Sequence, residues 1–143
     1  MSSFRTFDIA GSGMAAQSVR LNTVASNLAN ADSVASSADA VYKARHPLFE
    51  AVQQAMNGVQ PAGANGGAAV RVRGIGESDA APVARYEPGN PLANAEGYVY
   101  APNVNVVEEM VDMISASRSY QNNVEVMDTA KTLMMATLRL GQS

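Results

Sequence analysis

Val106, Met113, Tyr120, Met127 and Met134 follow one another at intervals of seven residues without a break. Met110, Ser117, Val124, Lys131 and Leu138 fall four residues after each of them. Only a helix brings such a 4-3-4-3 series onto one edge, and a strict period of 3.5 favours a supercoiled seam over an ordinary globular helix. Asn105 followed by Glu108 has capping-box spacing, with Pro102 just upstream. Glu108, Glu109 and Asp112 sit in the first turns, where the helix dipole favours negative charge, and Lys131 and Arg139 sit toward the other end. Gly141 supplies a stop. A helix from Asn105 to Leu140 is about 54 Å long. A chain of 143 residues and 14.9 kDa cannot easily cover such a rod on all sides.

A second heptad series opens the chain. Phe7, Met14, Leu21 and Leu28 are seven apart, and Ala10, Val24 and Ala31 fill most of the intermediate positions, with Gln17 the exception. This predicts an amphipathic helix from about Ser3 to Asn30, about 39 Å long. Gly11 and Gly13 each cost it about 1 kcal/mol relative to Ala, so it needs a partner. The middle differs in kind. Ala31 to Ala40 reads as a loop and Pro47 to Met56 as a short helix. Asn57 to Ala69, with four glycines and Pro61, reads as a linker or hairpin tip. Val70 to Ile75, Val83 to Tyr86 and Tyr98 to Tyr100 read as short strands, a small sheet at most. The expected fold is mainly α: long terminal helices paired as a coiled coil around a small irregular β-containing segment. The expected divisions are 1–31 for the first helix, 32–103 for the middle and 104–143 for the last helix, with the two helical parts forming one domain.

Composition removes several function classes. The formal charge is −3, which argues against electrostatic nucleic-acid binding. There is no Cys, so disulfides, thiolate zinc sites and a Cys nucleophile are excluded, and a lone His46 cannot build a multi-histidine site. Eight Met and no Trp give soft, adaptable packing groups. No apolar run is long enough to span a membrane. The first residues lack the basic and apolar regions of a cleavable signal, so the expectation is a cytoplasmic chain or one exported without cleavage.

Candidate chemistry is thin. Gly11-Ser12-Gly13-Met14-Ala15-Ala16 fits a dinucleotide-binding spacing, with Asp32 about where a ribose ligand would lie. The heptad runs through this stretch and no further βαβ units follow, so a helix containing two glycines is the better reading. Glu108, Glu109 and Asp112 are explained as a helix N-terminus rather than as metal ligands. No catalytic residue, cofactor or metal site is expected. Arg118-Ser119-Tyr120-Gln121-Asn122-Asn123 is unusually polar for mid-helix, and reads equally as a solvated face or as an interface with neighbouring chains.

Ser26-Asn27-Leu28-Ala29-Asn30-Ala31-Asp32-Ser33 resembles the asparagine-rich signature of bacterial flagellar rod, hook and hook-associated proteins, with Ser33 where that family commonly has Thr. Val34 to Val41 intervene before Tyr42-Lys43, where most members turn at once. Val107-Glu108-Glu109-Met110 and Arg118 to Asn123 resemble the family's C-terminal helix. Glu87-Pro88-Gly89-Asn90-Pro91, Glu96-Gly97-Tyr98-Val99 and Pro102-Asn103-Val104 resemble its proximal-rod members, as does the short length. The resemblance implies a structural, non-enzymatic subunit of the basal-body rod, a hollow shaft that crosses the periplasm and transmits torque from motor to hook. It implies export by the flagellar type III apparatus without signal cleavage. Implied partners are other rod proteins, copies of the chain itself, and neighbouring basal-body and export-gate components. A distal-rod or hook-associated protein, or a soluble coiled-coil export chaperone or adaptor, is the alternative. Phe7, Met14, Leu21, Leu28, Met110, Met113, Tyr120, Val124, Met127 and Met134 are expected to carry the helical seam or its extension. Asn27, Asn30, Arg118, Gln121, Asn122 and Asn123 are expected to make polar bonds at turns or between subunits.

Overall fold

Two long helices run side by side in opposite directions, and two β-ribbons attach to them. The computed structural model describes residues 3–52 and 68–141. Helix α1 spans Ser3–Asn30, strands β1 to β4 span Arg45–Val52, Ala69–Glu77, Val83–Tyr86 and Tyr98–Ala101, and helix α2 spans Val106–Leu140. The antiparallel sense of the helices follows from their contacts. Arg20 bonds Asp112 at 2.8 Å, Gly13 lies against the Asn123 side chain, and Gly11 lies near Met127. The numbers of facing residues therefore add up to between 132 and 138.

Helix α2 begins as its caps dictate. The Asn105 side chain accepts from the Val107 and Glu108 amides, and Glu108 and Glu109 occupy the first turn. Arg139 lies in the last turn and Gly141 follows it. The close helix approach depends on small residues. Ala10, Ala16, Ala116 and Ala130 are all buried. At Gly13 an added Cβ would stand 2.9 Å from an Asn123 side-chain atom, so glycine lets the backbones approach there.

The stretch expected as a helix from Pro47 to Met56 is instead strand β1 as far as Val52, and residues 53–56 lie outside the described residues. What makes this stretch a strand is its partner, the β-branched strand β2. The antiparallel register sets Arg45 opposite Glu77 and Glu50 opposite Arg71. Both pairs close as ion pairs at 3.1 Å. A bulge between Leu48 and Phe49 leaves Arg73 as the extra residue of β2. The ribbon packs along α1, and the Val70 amide donates to Ser12 Oγ at 3.1 Å. Most of the glycine-rich stretch expected as a linker or hairpin tip lies outside the described residues.

The expected single small sheet is two separate two-stranded ribbons, β1–β2 and β3–β4. The second ribbon is secured by Val99, which is fully buried, and by a bridge from Tyr100 to Ala35. Its connection turns on Gly97 at φ +84°, where a side chain would meet the Tyr86 ring at 2.9 Å. The Tyr86 and Tyr98 rings meet edge-on across the ribbon, 5.2 Å apart. Ala31–Ala40 is a loop, as expected, apart from the bridge at Ala35.

Candidate functional site

Near the end of α1, Asn27 is completely buried and makes three hydrogen bonds through its side-chain amide. Its Oδ1 accepts from the Tyr42 hydroxyl and from the Arg45 amide, each at 2.9 Å. Its Nδ2 donates to the Arg45 carbonyl at 2.9 Å. One side chain thus pairs with both backbone groups of the first residue of β1, as a neighbouring strand would. The loop between them is pinned again by Asn103, which accepts from the Ala44 amide at 2.8 Å and donates to the Ala80 carbonyl at 2.7 Å. Asn27 and Asn103 together tie α1, both ribbons and the approach to α2 into one corner. Asn30 serves its own helix end: its side chain donates to Ser26, and its carbonyl accepts from Ser33.

Glu109 is buried in α2, and its Oε2 has no protein partner among the described residues. Burial raises the Tyr42 phenol above the ordinary tyrosine value of 10.0, Arg45 opposes that rise, and Glu109 and Glu77 add to it. The folded state therefore favours neutral Tyr42. Its contribution is fully present below pH 10 and is lost as the pH rises through the higher folded value. Denaturant titrations above pH 10 are expected to show a loss of stability with rising pH that is smaller in Tyr42→Phe, although that variant starts less stable because it loses the bond to Asn27.

Along the helix pair, Met113, Tyr120, Met127 and Met134 are half-buried. The second row facing α1 is Glu109, Ala116, Asn123 and Ala130, one position before the expected Met110, Ser117, Val124 and Lys131. Met110 and Val124 are exposed in the subunit, by 53% and 37%. The physical reason is size. Small side chains allow the backbones to close on Gly11 and Gly13, whereas a row holding Met110, Val124 and Lys131 would hold them apart. On α1, Phe7, Met14, Leu21 and Leu28 are half-buried. Arg118, Gln121 and Asn122 are exposed on α2. Asn123 faces α1 and donates to the Ser119 carbonyl at 2.9 Å.

The opposite face of α2 carries Val107, Met110, Val111 and Ile114, exposed by 70%, 53%, 61% and 54%. Four large apolar side chains at i, i+3, i+4 and i+7 form a continuous stripe with nothing over it in the described subunit, the mark of a surface built for a partner. The sequence reading missed this stripe because the heptad series absorbed Met110. It also missed Asn103 as a tie point, since no local pattern names a partner 59 residues away. Among the described residues no helix is long and apolar enough to cross a membrane, and no cluster of three or more His, Cys, Asp or Glu could hold a metal ion.

Residues 7–35 match the family described as flagella basal body rod protein. Residues 95–140 match the C-terminal family of flagellar basal body rod FlgEFG proteins. The two matches cover α1 from Phe7 onward, Asn27 included, and β4 with α2. Over its full length the chain is also similar to curated proteins. It is 52% identical to the flagellar basal-body rod protein FlgC of Salmonella typhimurium over 142 residues, covering 99% of this chain and 100% of that protein. It is 51% identical to the FlgC of Yersinia enterocolitica and 35% identical to that of Bacillus subtilis, with the same coverage of each chain. The two terminal matches and the end-to-end similarity agree, and the chain belongs to the FlgC family of flagellar basal-body rod proteins.

Proposed function

We propose that the chain is a structural subunit of the proximal rod of the bacterial flagellar basal body, polymerising with other rod proteins into a hollow axial shaft that carries torque from motor to hook. The observation that carries this reading is the uncovered stripe on α2 in a chain of this family. A catalytic role would leave it unexplained, whereas a subunit that completes its surface on a neighbour requires it. Contacts of this kind that do not close on themselves extend into a helical array. The segments 1–31 and 104–143 act as one helical domain, paired as a coiled coil along the shaft, and the segment 32–103 braces it.

The chain reaches the periplasm through the flagellar type III export apparatus without cleavage. It docks among copies of itself, other rod proteins and the neighbouring basal-body and export-gate components. Phe7, Met14, Leu21, Leu28, Met113, Tyr120, Met127 and Met134 hold the helix pair, while Met110 and Val124 extend the apolar surface outward. Asn27 and Asn30 fix the turn after α1, Asn123 fits against Gly13, and Arg118, Gln121 and Asn122 bond to adjacent subunits.

Met113→Asp combined with Tyr120→Asp places two charges on the half-buried side of α2. Each is costly when desolvated without a partner. Expression is expected to persist while rod assembly and swimming are lost, read by immunoblot, basal-body purification and motility in soft agar. Normal swimming by the double variant would remove this assignment of the helix pair.

A further inference from the structure

The chain has no Cys and no Trp, so a two-electron oxidant finds methionine as its softest target. Among the described residues Met14, Met113, Met127 and Met134 are half-buried. Met110 and Met135 are exposed, by 53% and 49%. These two differ in what surrounds them. On a helix the neighbours of a side chain lie three and four positions away. For Met110 they are Val106, Val107, Met113 and Ile114, every one apolar. Val106, Val107 and Ile114 are themselves exposed, so the apolar surface is continuous around the sulfur. For Met135 the neighbours are Lys131, Thr132, Leu138 and Arg139, of which only Leu138 is apolar. An oxygen added at 135 joins a surface that is already polar, whereas at 110 it stands alone in the stripe.

We propose that Met110 is a modification site for peroxide-class oxidants, and that its sulfoxide shuts the subunit out of the rod. The step balances with the oxidant alone. The thioether sulfur attacks one peroxide oxygen, the S–O bond forms and the O–O bond breaks. The other oxygen leaves, takes up the proton of the first, and departs as water. Sulfur is oxidised to the sulfoxide and peroxide is reduced. The product turns an apolar side chain into a polar one that accepts hydrogen bonds. In the free subunit that oxygen faces water and costs nothing. Under an apolar neighbouring surface it is desolvated without a partner, which is unfavourable. The consequence for assembly rests on the rod reading above, while the selectivity of the oxidation rests only on the exposure of the sulfur.

Purified full-length chain and purified basal bodies are each treated with hydrogen peroxide, and their peptides are followed by mass spectrometry. In the free chain Met110 and Met135 are expected to gain an oxygen before Met14, Met113, Met127 and Met134. In basal bodies Met110 is expected to react more slowly than in the free chain. Met110→Gln, a polar stand-in for the sulfoxide, tests the consequence against Met110→Leu, which keeps the volume and the apolar character. Swimming cells are expected to be about tenfold fewer with Met110→Gln than with Met110→Leu, the factor set by one uncompensated polar group. Met135→Gln is expected to swim normally, and both Met110 variants to melt alike as isolated chains. Met110 oxidising no faster than the four half-buried methionines, or equally fast in basal bodies and free chain, would overturn the proposal. So would equal swimming by the two Met110 variants, or an equal loss with Met135→Gln. Basal bodies lacking the wild-type chain would instead overturn the rod reading and leave the order of oxidation in the free chain standing.

Discussion

Asn27→Ala is expected to be among the most damaging single substitutions in the chain. It removes three hydrogen bonds at once and strands the Tyr42 hydroxyl and both backbone groups of Arg45 in a part-buried corner. A buried polar group left unpaired costs ~1–3 kcal/mol. The summed loss is about 3 kcal/mol or more even if water reaches some of the vacated sites, equivalent to a fall of about 10 °C in melting temperature. Thermal denaturation of the purified chain checks it. Asn27→Asp keeps the two accepting interactions but buries a charge and turns an oxygen toward the Arg45 carbonyl, so it should be at least as damaging as Ala. An unchanged melting temperature in the Ala variant would mean that the corner is held by something else, with Asn103 the nearest candidate.

Ala116→Glu is the second large effect. Ala116 is completely buried in α2 on the side that faces α1. Glutamate there adds both volume and an unpaired charge where the helices close on small residues. Overpacking alone costs ~1–3 kcal/mol, and burying an uncompensated charge adds several more. The helix pair is expected to separate, with loss of helicity by circular dichroism and loss of swimming. Ile114→Glu, two residues away but on the open stripe, is the informative contrast. Surface substitutions of that kind stay within ~0.5 kcal/mol, so the isolated chain should melt normally while rods fail to form. If Ala116→Glu and Ile114→Glu damaged the isolated chain equally, the distinction between an inner and an outer face of α2 would be wrong.

That distinction marks where the sequence was legible and where it was not. Both long helices could be read because their signals are local: a seven-residue repeat, an asparagine cap, acids in the first turn and a terminal glycine. Which row of α2 faces α1 could not be read from hydrophobicity, because close approach rewards small side chains. The polar intrusions Ser117 and Lys131 were the visible sign that the apolar series was not the intrachain row. Strand β1 was mistaken for a helix because Pro47 to Met56 has no clear period of two. What makes it a strand is its partner, and the charge pairs Arg45–Glu77 and Glu50–Arg71 span 32 and 21 residues. The partners of Asn27 and Asn103 are likewise set by tertiary structure. The family signature was legible because it lies in unbroken runs, even though the contacts it encodes do not.

Imaging purified basal bodies at side-chain detail tests most directly whether this subunit is completed only by its neighbours. Val107, Met110, Val111 and Ile114 are expected to be covered by an adjacent subunit at the positions this chain occupies. The same four side chains standing in water within an assembled rod would contradict it.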